Sequence, residues 1–292
     1  MEEYIQYKEK KIRIISADSI TDTVKDMLIS INHSLSDDVV SAISNAAKAE
    51  KSEVSKKVLC RLCDNLKAAY DLDVPICQDT GMAVFFAEIG EDVHIYGETL
   101  ENAINEGVRR AYVDGYMRLS VVEDPLYSRK NTNDNTPAII HIKTVKGDKI
   151  TLTAAPKGFG SENMSSLKMF TPSATEDDIV RFVVDSVKRA GSNPCPPIVV
   201  GVGIGGDFEY CAELAKYALT RSLDDTNTKS KYASLERRLL DEINALNIGP
   251  QGFGGSVTAL AVKVESSPTH IAGLPVAVNI NCHVARHIKR TI

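Results

Sequence analysis

The sequence contains no tryptophan, and aromatic residues make up only 6% of its 292 residues. Surfaces that stack on nucleic-acid bases or on sugars need aromatic side chains, so this scarcity argues against such a surface. An excess of basic residues is missing too, because 34 Lys and Arg stand against 39 Asp and Glu. Binding to a phosphate backbone needs clustered cations. The composition therefore predicts that no nucleic acid is a partner.

Long hydrophobic runs are also absent. The longest, around 198–204 and 274–280, have the length of strands and are too short to span a membrane. The first residues, MEEYIQYKEKKIRI, show neither the apolar core of a signal peptide nor the composition of a transit peptide. We therefore expect a cytoplasmic protein without a membrane partner. In a reducing compartment, its six cysteines are expected to be buried, catalytic or metal-bound.

Helical and strand patterns are mixed along the chain. Residues 17–70 show the periodicity of three amphipathic helices, with Ser19 and Ser36 as plausible N-caps. The remaining sequence contains both hairpin and strand–helix patterns, which predicts an α+β fold with mixed sheets flanked by helices and a helical N-terminal layer. We expect a single domain over 1–292, with two intertwined lobes at about 1–160 and 161–292.

One short segment predicts a particular strand pairing. The strand-like runs AIIHIKTV and DKITLTAA flank Lys146-Gly147-Asp148. Two alternating runs joined by a short turn that contains Gly indicate a β-hairpin. We therefore expect these two strands to be neighbours in one sheet.

Three of the cysteines lie within helical patterns. Cys60 and Cys63 form a C-x-x-C pair, and Cys211 lies in a separate amphipathic stretch. No βαβ pattern precedes the pair, so a thioredoxin-type redox site is not indicated. We expect all three thiols to be buried as small apolar side chains.

The other three cysteines lie at the ends of apolar runs or in loops. Cys77 is in PICQDTG, Cys195 is in NPCPP and Cys282 is in NINCH. Side chains of functional sites gather on such loops. The three are far apart in sequence, which excludes a local zinc ribbon or ferredoxin motif, because those use short spacings. Spacing alone would leave them as unrelated thiols.

The contexts of these cysteines resemble the class I (iron–sulfur) fumarate hydratase and tartrate dehydratase family, in its two-subunit form. The similarity extends from about Ser36 to His287 and consists of many long motifs in one order. These motifs are ICQDTG (76–81), YMRLSVVEDP (116–125), NTNDNTPA (131–138), KGFGSENMS (157–165), NPCPP (193–197), GVGIGG (201–206), NIGPQGFGG (247–255) and SSPTHIAGLPVAVNINCHVARH (266–287).

This resemblance implies an iron–sulfur hydro-lyase alpha subunit in which Cys77, Cys195 and Cys282 bind three irons of a 4Fe–4S cluster. Four thiolates would saturate such a cluster for electron transfer. With three, one iron stays open and can act as a Lewis acid on a substrate hydroxyl and carboxylate. Such an exposed cluster is expected to be sensitive to oxygen.

The resemblance also implies substrate contacts by Gln78, Asp79, Arg118 and Gly160. Asp79 would donate or shuttle a proton, with His270 as its catalytic partner. A planar guanidinium at Arg118 suits a substrate carboxylate. Each residue has a plainer interpretation: Asp79 can cap its own turn, Arg118 can be a surface arginine and His270 can be a loop histidine.

A partner chain is a further implication. In the family, a smaller β subunit or domain supplies further site residues, including a catalytic base, and this sequence contains no recognisable copy of it. We expect a chain that is incomplete alone, in an α2β2 assembly. The GSENMS and NINCHVARH motifs favour fumarate and malate as substrates, and tartrate dehydratase (tartrate to oxaloacetate) is the alternative.

Two other functional classes compete with this hypothesis. Gly201, Gly203 and Gly206 form G-x-G-x-x-G between a strand pattern and a helix pattern, which suggests an NAD-dependent enzyme. Alternatively, the three loop cysteines with His270 or His283 would form a Cys3His zinc site in a scaffold without catalysis.

Overall fold

A computed structural model describes residues 3–7 and 10–292. Helices and strands are mixed in it, which confirms the α+β class, and the described strands lie in three sheets. In chain order the elements are β1 Glu3–Tyr7, β2 Lys10–Ser16, α1 Ala17–His33, α2 Asp37–Ala49, α3 Glu53–Leu72, β3 Val84–Gly90, β4 Val93–Tyr96, α4 Leu100–Asp114, β5 Ile139–Val145, β6 Ile150–Ala154, α5 Phe159–Glu162, β7 Ser166–Phe170, α6 Glu176–Ala190, β8 Ile198–Gly206, α7 Phe208–Ala218, α8 Ser230–Asn244, a 3-10 helix Pro250–Gly252, β9 Ala259–Thr269, β10 Leu274–Asn281 and β11 Ile288–Thr291.

The chain divides into two compact units, each formed by separate stretches of sequence. Unit 1 comprises Met1–Ser34, Asp73–Lys157 and Arg286–Ile292, as far as these residues are described. Unit 2 comprises Leu35–Leu72 and Gly158–Ala285. None of the described helices has both the length and the apolar character needed to cross a membrane.

Unit 1 is built on a four-stranded sheet in the order β11-β6-β3-β5, beside a small sheet of β1, β2 and β4. Helices α1 and α4 share one apolar core with the larger sheet, in which Ile20, Phe85, Ile104 and Leu152 are fully buried. Each such side chain contributes roughly 1.5–3 kcal/mol by leaving water. The core holds α4 and the segments after α1 and before β3 in fixed positions.

The predicted hairpin at Lys146-Gly147-Asp148 is wrong, because β3 lies between β5 and β6. Strand β3 pairs parallel with β5 and antiparallel with β6. The connection crosses the end of β3, where the Gly90 N–H donates to the Lys149 carbonyl at 2.8 Å. Two strand spacings of about 4.8 Å are within reach of this short loop. The turn sequence indicated a reversal of direction and did not specify the neighbour.

Unit 2 is built on a sheet in the order β7-β10-β8-β9. Helices α6 and α8 pack on one face, where Val183, Val202, Leu239 and Val278 are buried together. Helix α7 packs on the other face, where its Cys211 and Ala215 contact Ala277 of β10. The loops at Cys195 and Cys282 adjoin the ends of the buried strands β8 and β10.

Two predictions about local detail are wrong. Ser16, not Ser19, caps α1, and its Oγ accepts the Ser19 N–H at 3.2 Å, because the helix starts directly where β2 ends. Cys60 is exposed and Cys63 is half-buried, whereas Cys211 is buried as expected. Helix α3 buries Leu59, and the next residue points about 100° away from that face.

Candidate functional site

The predicted ligand Cys77 and the predicted active-site residues Gln78 and Asp79 lie on one turn of unit 1. The side chain of Gln78 is exposed, and those of Cys77 and Asp79 are half-buried. The Cys77 thiol donates to Gln78 Oε1 at 3.4 Å. The Gly81 N–H donates to Asp79 Oδ1 at 3.1 Å, so this carboxylate does cap its own turn. A thiol, an amide and a carboxylate are therefore presented by three consecutive residues.

Gly81 fixes this turn against the backbone of Lys157. Its φ is +79°, and a Cβ there would lie 2.8 Å from the carbonyl carbon and the nitrogen of Lys157. Met82 and Lys157 form an antiparallel bridge, with N–H to carbonyl distances of 3.0 and 2.8 Å. Only glycine allows both this conformation and this approach.

Two buried side chains hold the carbonyl groups of the turn. The Tyr112 hydroxyl, on α4, donates to the carbonyl oxygens of Thr80 and Gly81, at 2.8 and 2.9 Å. Asn135, in the NTNDNTPA motif, donates through Nδ2 to the Gly81 carbonyl at 3.1 Å, and its Oδ1 accepts the Ser120 N–H at 2.7 Å. Both side chains are fully buried, so the bonds are protected from competing water.

A third buried side chain, Arg286 of the VARH motif, reaches the same turn. Its Nη2 donates to the Asp79 carbonyl at 2.8 Å, and its Nη1 donates to Asn32 Oδ1 at 2.5 Å. Burial raises the pKa of Tyr112 well above its ordinary value; the Arg286 charge opposes this rise, and the Asp79 carboxylate adds to it. The Tyr112 hydroxyl therefore stays protonated and acts as a donor.

Arg118 adjoins this turn through its backbone. Its carbonyl accepts a hydrogen bond from Thr80 Oγ1 at 3.1 Å, and its side chain is exposed. Within the described part of the chain, its guanidinium has no hydrogen bond or ion pair. Its five N–H donors are thus available to an anion.

The NTNDNTPA loop is a polar scaffold. Asn131 donates to the Leu119 carbonyl at 2.9 Å, and Asp134 accepts from Arg109 Nε at 3.1 Å. Burial tends to raise the pKa of Asp134, but hydrogen bonds from Thr136 and Arg109 outweigh that effect and lower it. The loop thereby supports the segment that carries Arg118.

The other two predicted cluster ligands lie in two loops of unit 2 that are joined by hydrogen bonds. Cys195 is exposed, has φ +54° and donates its N–H to the Ser192 carbonyl at 3.0 Å. Cys282 is half-buried and directly follows β10. The next residue, His283, donates its N–H to the Cys195 carbonyl at 3.4 Å, and its Nδ1 lies 3.1 Å from the same oxygen. The same Nδ1 lies 3.3 Å from Nε2 of Gln251.

Gln251, in the NIGPQGFGG motif, braces the Cys195 loop. Its N–H and its Nε2 both donate to the Pro196 carbonyl, at 2.7 and 2.8 Å. Gln251 has φ +54°, an uncommon conformation for a residue other than glycine. Sequence reasoning did not single out Gln251, Tyr112 or Arg286; the motifs contained Gln251 and Arg286, and Tyr112 showed only helical periodicity.

Gly160 lies beside the Cys195 loop, and His270 lies elsewhere in unit 2. A Cβ on Gly160 would meet only Asn193 O, at an ordinary 3.7 Å, so packing within the chain does not require glycine there. His270 is exposed in the turn between β9 and β10, and its Nδ1 accepts the Ala272 N–H at 3.1 Å. The neutral ring therefore carries its proton on Nε2.

Each unit thus holds a set of the predicted site residues. Unit 1 brings together Cys77, Gln78, Asp79 and the Arg118 segment, and unit 2 brings together the Cys195 and Cys282 loops. Across residues 3–7 and 10–292, no group of three or more His, Cys, Asp and Glu side chains is close enough to hold a metal ion. The three cysteine side chains are of the type that binds an iron–sulfur cluster. Each is an accessible thiol that forms no disulfide, and each lies on a loop that is held by hydrogen bonds.

The glycines at 201–206 have a packing role. A Cβ on Gly203 would lie 2.0 Å from the Cys211 carbonyl oxygen, so α7 lies directly on β8. Asp207 caps α7, with its carboxylate accepting the Tyr210 N–H at 2.9 Å. In a dinucleotide site, the helix N-terminus must receive a pyrophosphate. A carboxylate in that place argues against the NAD alternative.

Comparison with known proteins agrees with the motifs. The family model described as fumarate hydratase (Fumerase) matches residues 21–291. A protein of Methanocaldococcus jannaschii named "Putative L(+)-tartrate dehydratase subunit alpha" is 40% identical over 277 residues, which cover 93% of this chain and 97% of that protein. The L(+)-tartrate dehydratase subunit alpha of Escherichia coli K12 is 31% identical over 273 residues, covering 93% and 90%. The chain therefore belongs to the class I fumarate hydratase and tartrate dehydratase family of hydro-lyases, as an alpha subunit.

Proposed function

We propose that the chain is the cluster-binding subunit of an oxygen-sensitive hydro-lyase that interconverts malate and fumarate. One observation carries the proposal: Cys77, Gln78 and Asp79 follow one another on a turn whose carbonyl groups are clamped by buried side chains. Such rigid presentation is what a site needs when it must place a proton donor beside a metal ligand.

Cys77, Cys195 and Cys282 would hold a 4Fe–4S cluster. The support is that each thiol is accessible and lies on a loop fixed by backbone hydrogen bonds. When bound with three thiolates, the cluster supplies an open iron that acts as a Lewis acid on the substrate hydroxyl and carboxylate. The family membership of the chain supports this ligand set.

The chain's own residues would bind the substrate and move a proton. Arg118 binds a carboxylate through two N–H groups, and Gln78 and the backbone at Gly160 add polar contacts. Asp79, as the carboxylic acid, delivers its proton to the departing hydroxide and is left as the carboxylate, and the Gly81 N–H to Oδ1 hydrogen bond fixes the direction of this group. His270 assists as a donor through its Nε2–H.

A separate β subunit would complete the site. Relatives of the chain are named as alpha subunits, which supports a second chain type, and we propose an α2β2 assembly in the cytoplasm. The partner supplies the base that removes the C3 proton of malate and further groups for the second carboxylate.

Tartrate is the second candidate substrate, and the names of the relatives favour it. Tartrate differs from malate by one hydroxyl on a four-carbon dicarboxylate. A site that hydrogen-bonds a hydroxyl strongly rejects an analogue without it, because its polar groups are then left unpaired. The two substrates should therefore differ clearly in kcat/KM.

The test is turnover by the anaerobically reconstituted complex of both subunits. Malate dehydration is followed by the ultraviolet absorbance of fumarate, and tartrate dehydration by coupled reduction of oxaloacetate. The proposal expects a higher kcat/KM for malate and loss of activity in air, with recovery on adding ferrous iron and reductant. A higher kcat/KM for tartrate would transfer the assignment to tartrate dehydratase, and no turnover of either would contradict the hydro-lyase.

A further inference from the structure

Arg286 carries a buried charge without an opposite charge to pair with. Its side chain belongs to a residue that is only 3% exposed. Its two hydrogen bonds go to neutral oxygens, of Asn32 and of the Asp79 backbone, and its Nε has no partner among the described residues. Nor does any described carboxylate form an ion pair with it. Buried arginines are normally paired, because an unpaired buried charge is costly.

We propose that Arg286 is a positioning residue that fixes the Asp79 turn for proton transfer. Arg286 holds the carbonyl of Asp79, and Tyr112 holds those of Thr80 and Gly81. Three consecutive carbonyl groups are therefore held by two buried side chains. The peptide planes that follow residues 79, 80 and 81 cannot rotate unless these bonds break.

This restraint reaches the Asp79 carboxylate through the backbone. The carboxylate accepts the Gly81 N–H, so its direction follows from the orientation of the peptide between residues 80 and 81. Releasing the Asp79 carbonyl would let the turn rotate and move the carboxylate. A displacement of about 1 Å at a reacting group can cost on the order of 100-fold in rate.

The fork of the guanidinium explains why an arginine occupies this position. One terminal nitrogen bonds Asn32, on α1, and the other bonds the turn, so a single planar group joins the core helix to Asp79. A lysine ammonium is a point charge on a flexible stem and cannot reproduce this two-point geometry. Arg286→Lys should therefore recover the charge without recovering the full rate.

The inference rests on the proposed function, and hydrogen exchange separates the two. Amide exchange of residues 76–82 reports on the turn without any turnover. If the wild-type complex shows no cluster and no turnover, the proposed function fails. The exchange of the turn still tests Arg286 in that case.

The experiment compares Arg286→Gln, Arg286→Lys and Tyr112→Phe in the reconstituted complex, with Arg290→Gln as the control. Arg290 is exposed and lies four residues further along the same C-terminal segment. For Arg286→Gln we expect kcat to fall roughly 100-fold, with KM within about threefold and iron content unchanged. Tyr112→Phe should lose about tenfold in kcat, and Arg286→Lys should lie between that variant and Arg286→Gln.

Exchange of the 76–82 amides should become about tenfold faster in Arg286→Gln and in Tyr112→Phe, and should be unchanged in the control. Normal kcat and normal exchange in Arg286→Gln would overturn the proposal. Loss of iron in proportion to activity would also overturn it, because the arginine would then serve cluster retention. If Arg286→Gln does not fold, normal kcat and exchange in Tyr112→Phe and Arg286→Lys would have the same consequence.

Discussion

Replacing Gly203 with alanine tests whether the glycine pattern serves packing or nucleotide binding. The new Cβ would lie 2.0 Å from the Cys211 carbonyl oxygen, 2.6 Å from the Ala215 nitrogen and 2.9 Å from the Leu214 Cβ. Ordinary contact begins at 3.4 Å, so α7 must retreat from β8 by about 1.4 Å. The nearest neighbours are backbone atoms of a helix and cannot rotate away.

Overpacking of this kind typically lowers the free energy of unfolding by about 1–3 kcal/mol. Because the neighbour here is rigid, we expect Gly203→Ala to lose about 3 kcal/mol. At roughly 2–4 °C per kcal/mol for a chain of this size, the midpoint of thermal unfolding should fall by roughly 6–12 °C. Gly273→Ala is the matched control, since its Cβ would meet nothing closer than 4.0 Å. The control should stay within about 1 °C of the wild type.

The assay is differential scanning calorimetry beside titration with NADH. We expect a lower midpoint for Gly203→Ala and no NADH binding by the wild-type chain. An unchanged midpoint together with NADH binding that the substitution abolishes would refute the packing argument. That result would support binding of NAD by these glycines.

Three further predictions concern named carboxylates. Asp79→Asn should lower kcat for malate by roughly 10²–10⁴-fold with iron content unchanged, because it removes the proposed proton donor. Glu236→Gln should lower the free energy of unfolding in urea by about 2–3 kcal/mol, since the half-buried Arg221 loses a charged partner at 2.8 Å but keeps Asp225 and Glu265. Burial raises the pKa of Glu50, but hydrogen bonds from backbone N–H groups outweigh that effect and lower it below 4.5. The stability that Glu50 contributes is thus present above pH 4.5 and is lost as the pH falls. The free energy of unfolding of the wild type should exceed that of Glu50→Gln by about 1 kcal/mol at neutral pH, and this difference should shrink toward zero on acidification.

Exposed carboxylates provide the controls for these variants. Asp71→Asn should leave turnover unchanged, and Glu209→Gln should leave the urea midpoint unchanged at every pH, since both side chains are exposed. Full activity in Asp79→Asn would contradict the role assigned to that carboxylate. A loss in Glu236→Gln no larger than in Glu209→Gln would contradict the ion-pair argument. A Glu50→Gln difference that grows on acidification would contradict the direction of its pKa shift.

Much of the local structure could be predicted from the sequence, because short-range chemistry determines it. Helix α6 follows a Thr175 N-cap that forms a reciprocal capping box with Asp178, carries acidic residues in its first turn and basic residues in its last, and ends at Gly191. The three helices between residues 17 and 72 follow from apolar periodicity, and Ser36 occupies the N-cap position of the second without a side-chain capping bond. Each of these features depends on residues within a few positions of one another.

Pairing between distant segments could not be predicted in this way. The turn at Lys146-Gly147-Asp148 indicated a hairpin, yet β3 occupies the place between the two strands because it pairs with both. The role of Arg286 depends on Asn32 and the Asp79 turn, which are far from it in sequence. The motifs identified the candidate ligands by their local context, and the buried bonds that hold them became visible only in the fold.

The central claim is that Cys77, Cys195 and Cys282 hold a cluster with an open iron. The measurement is iron and acid-labile sulfide per chain after anaerobic reconstitution, in the wild type and in each Cys→Ser variant, with Cys60→Ser as the exposed control. The account predicts about four irons and four sulfides per wild-type and control chain, and a marked loss in each of the three variants. A chain without sulfide, or three variants with undiminished iron and sulfide, would contradict it.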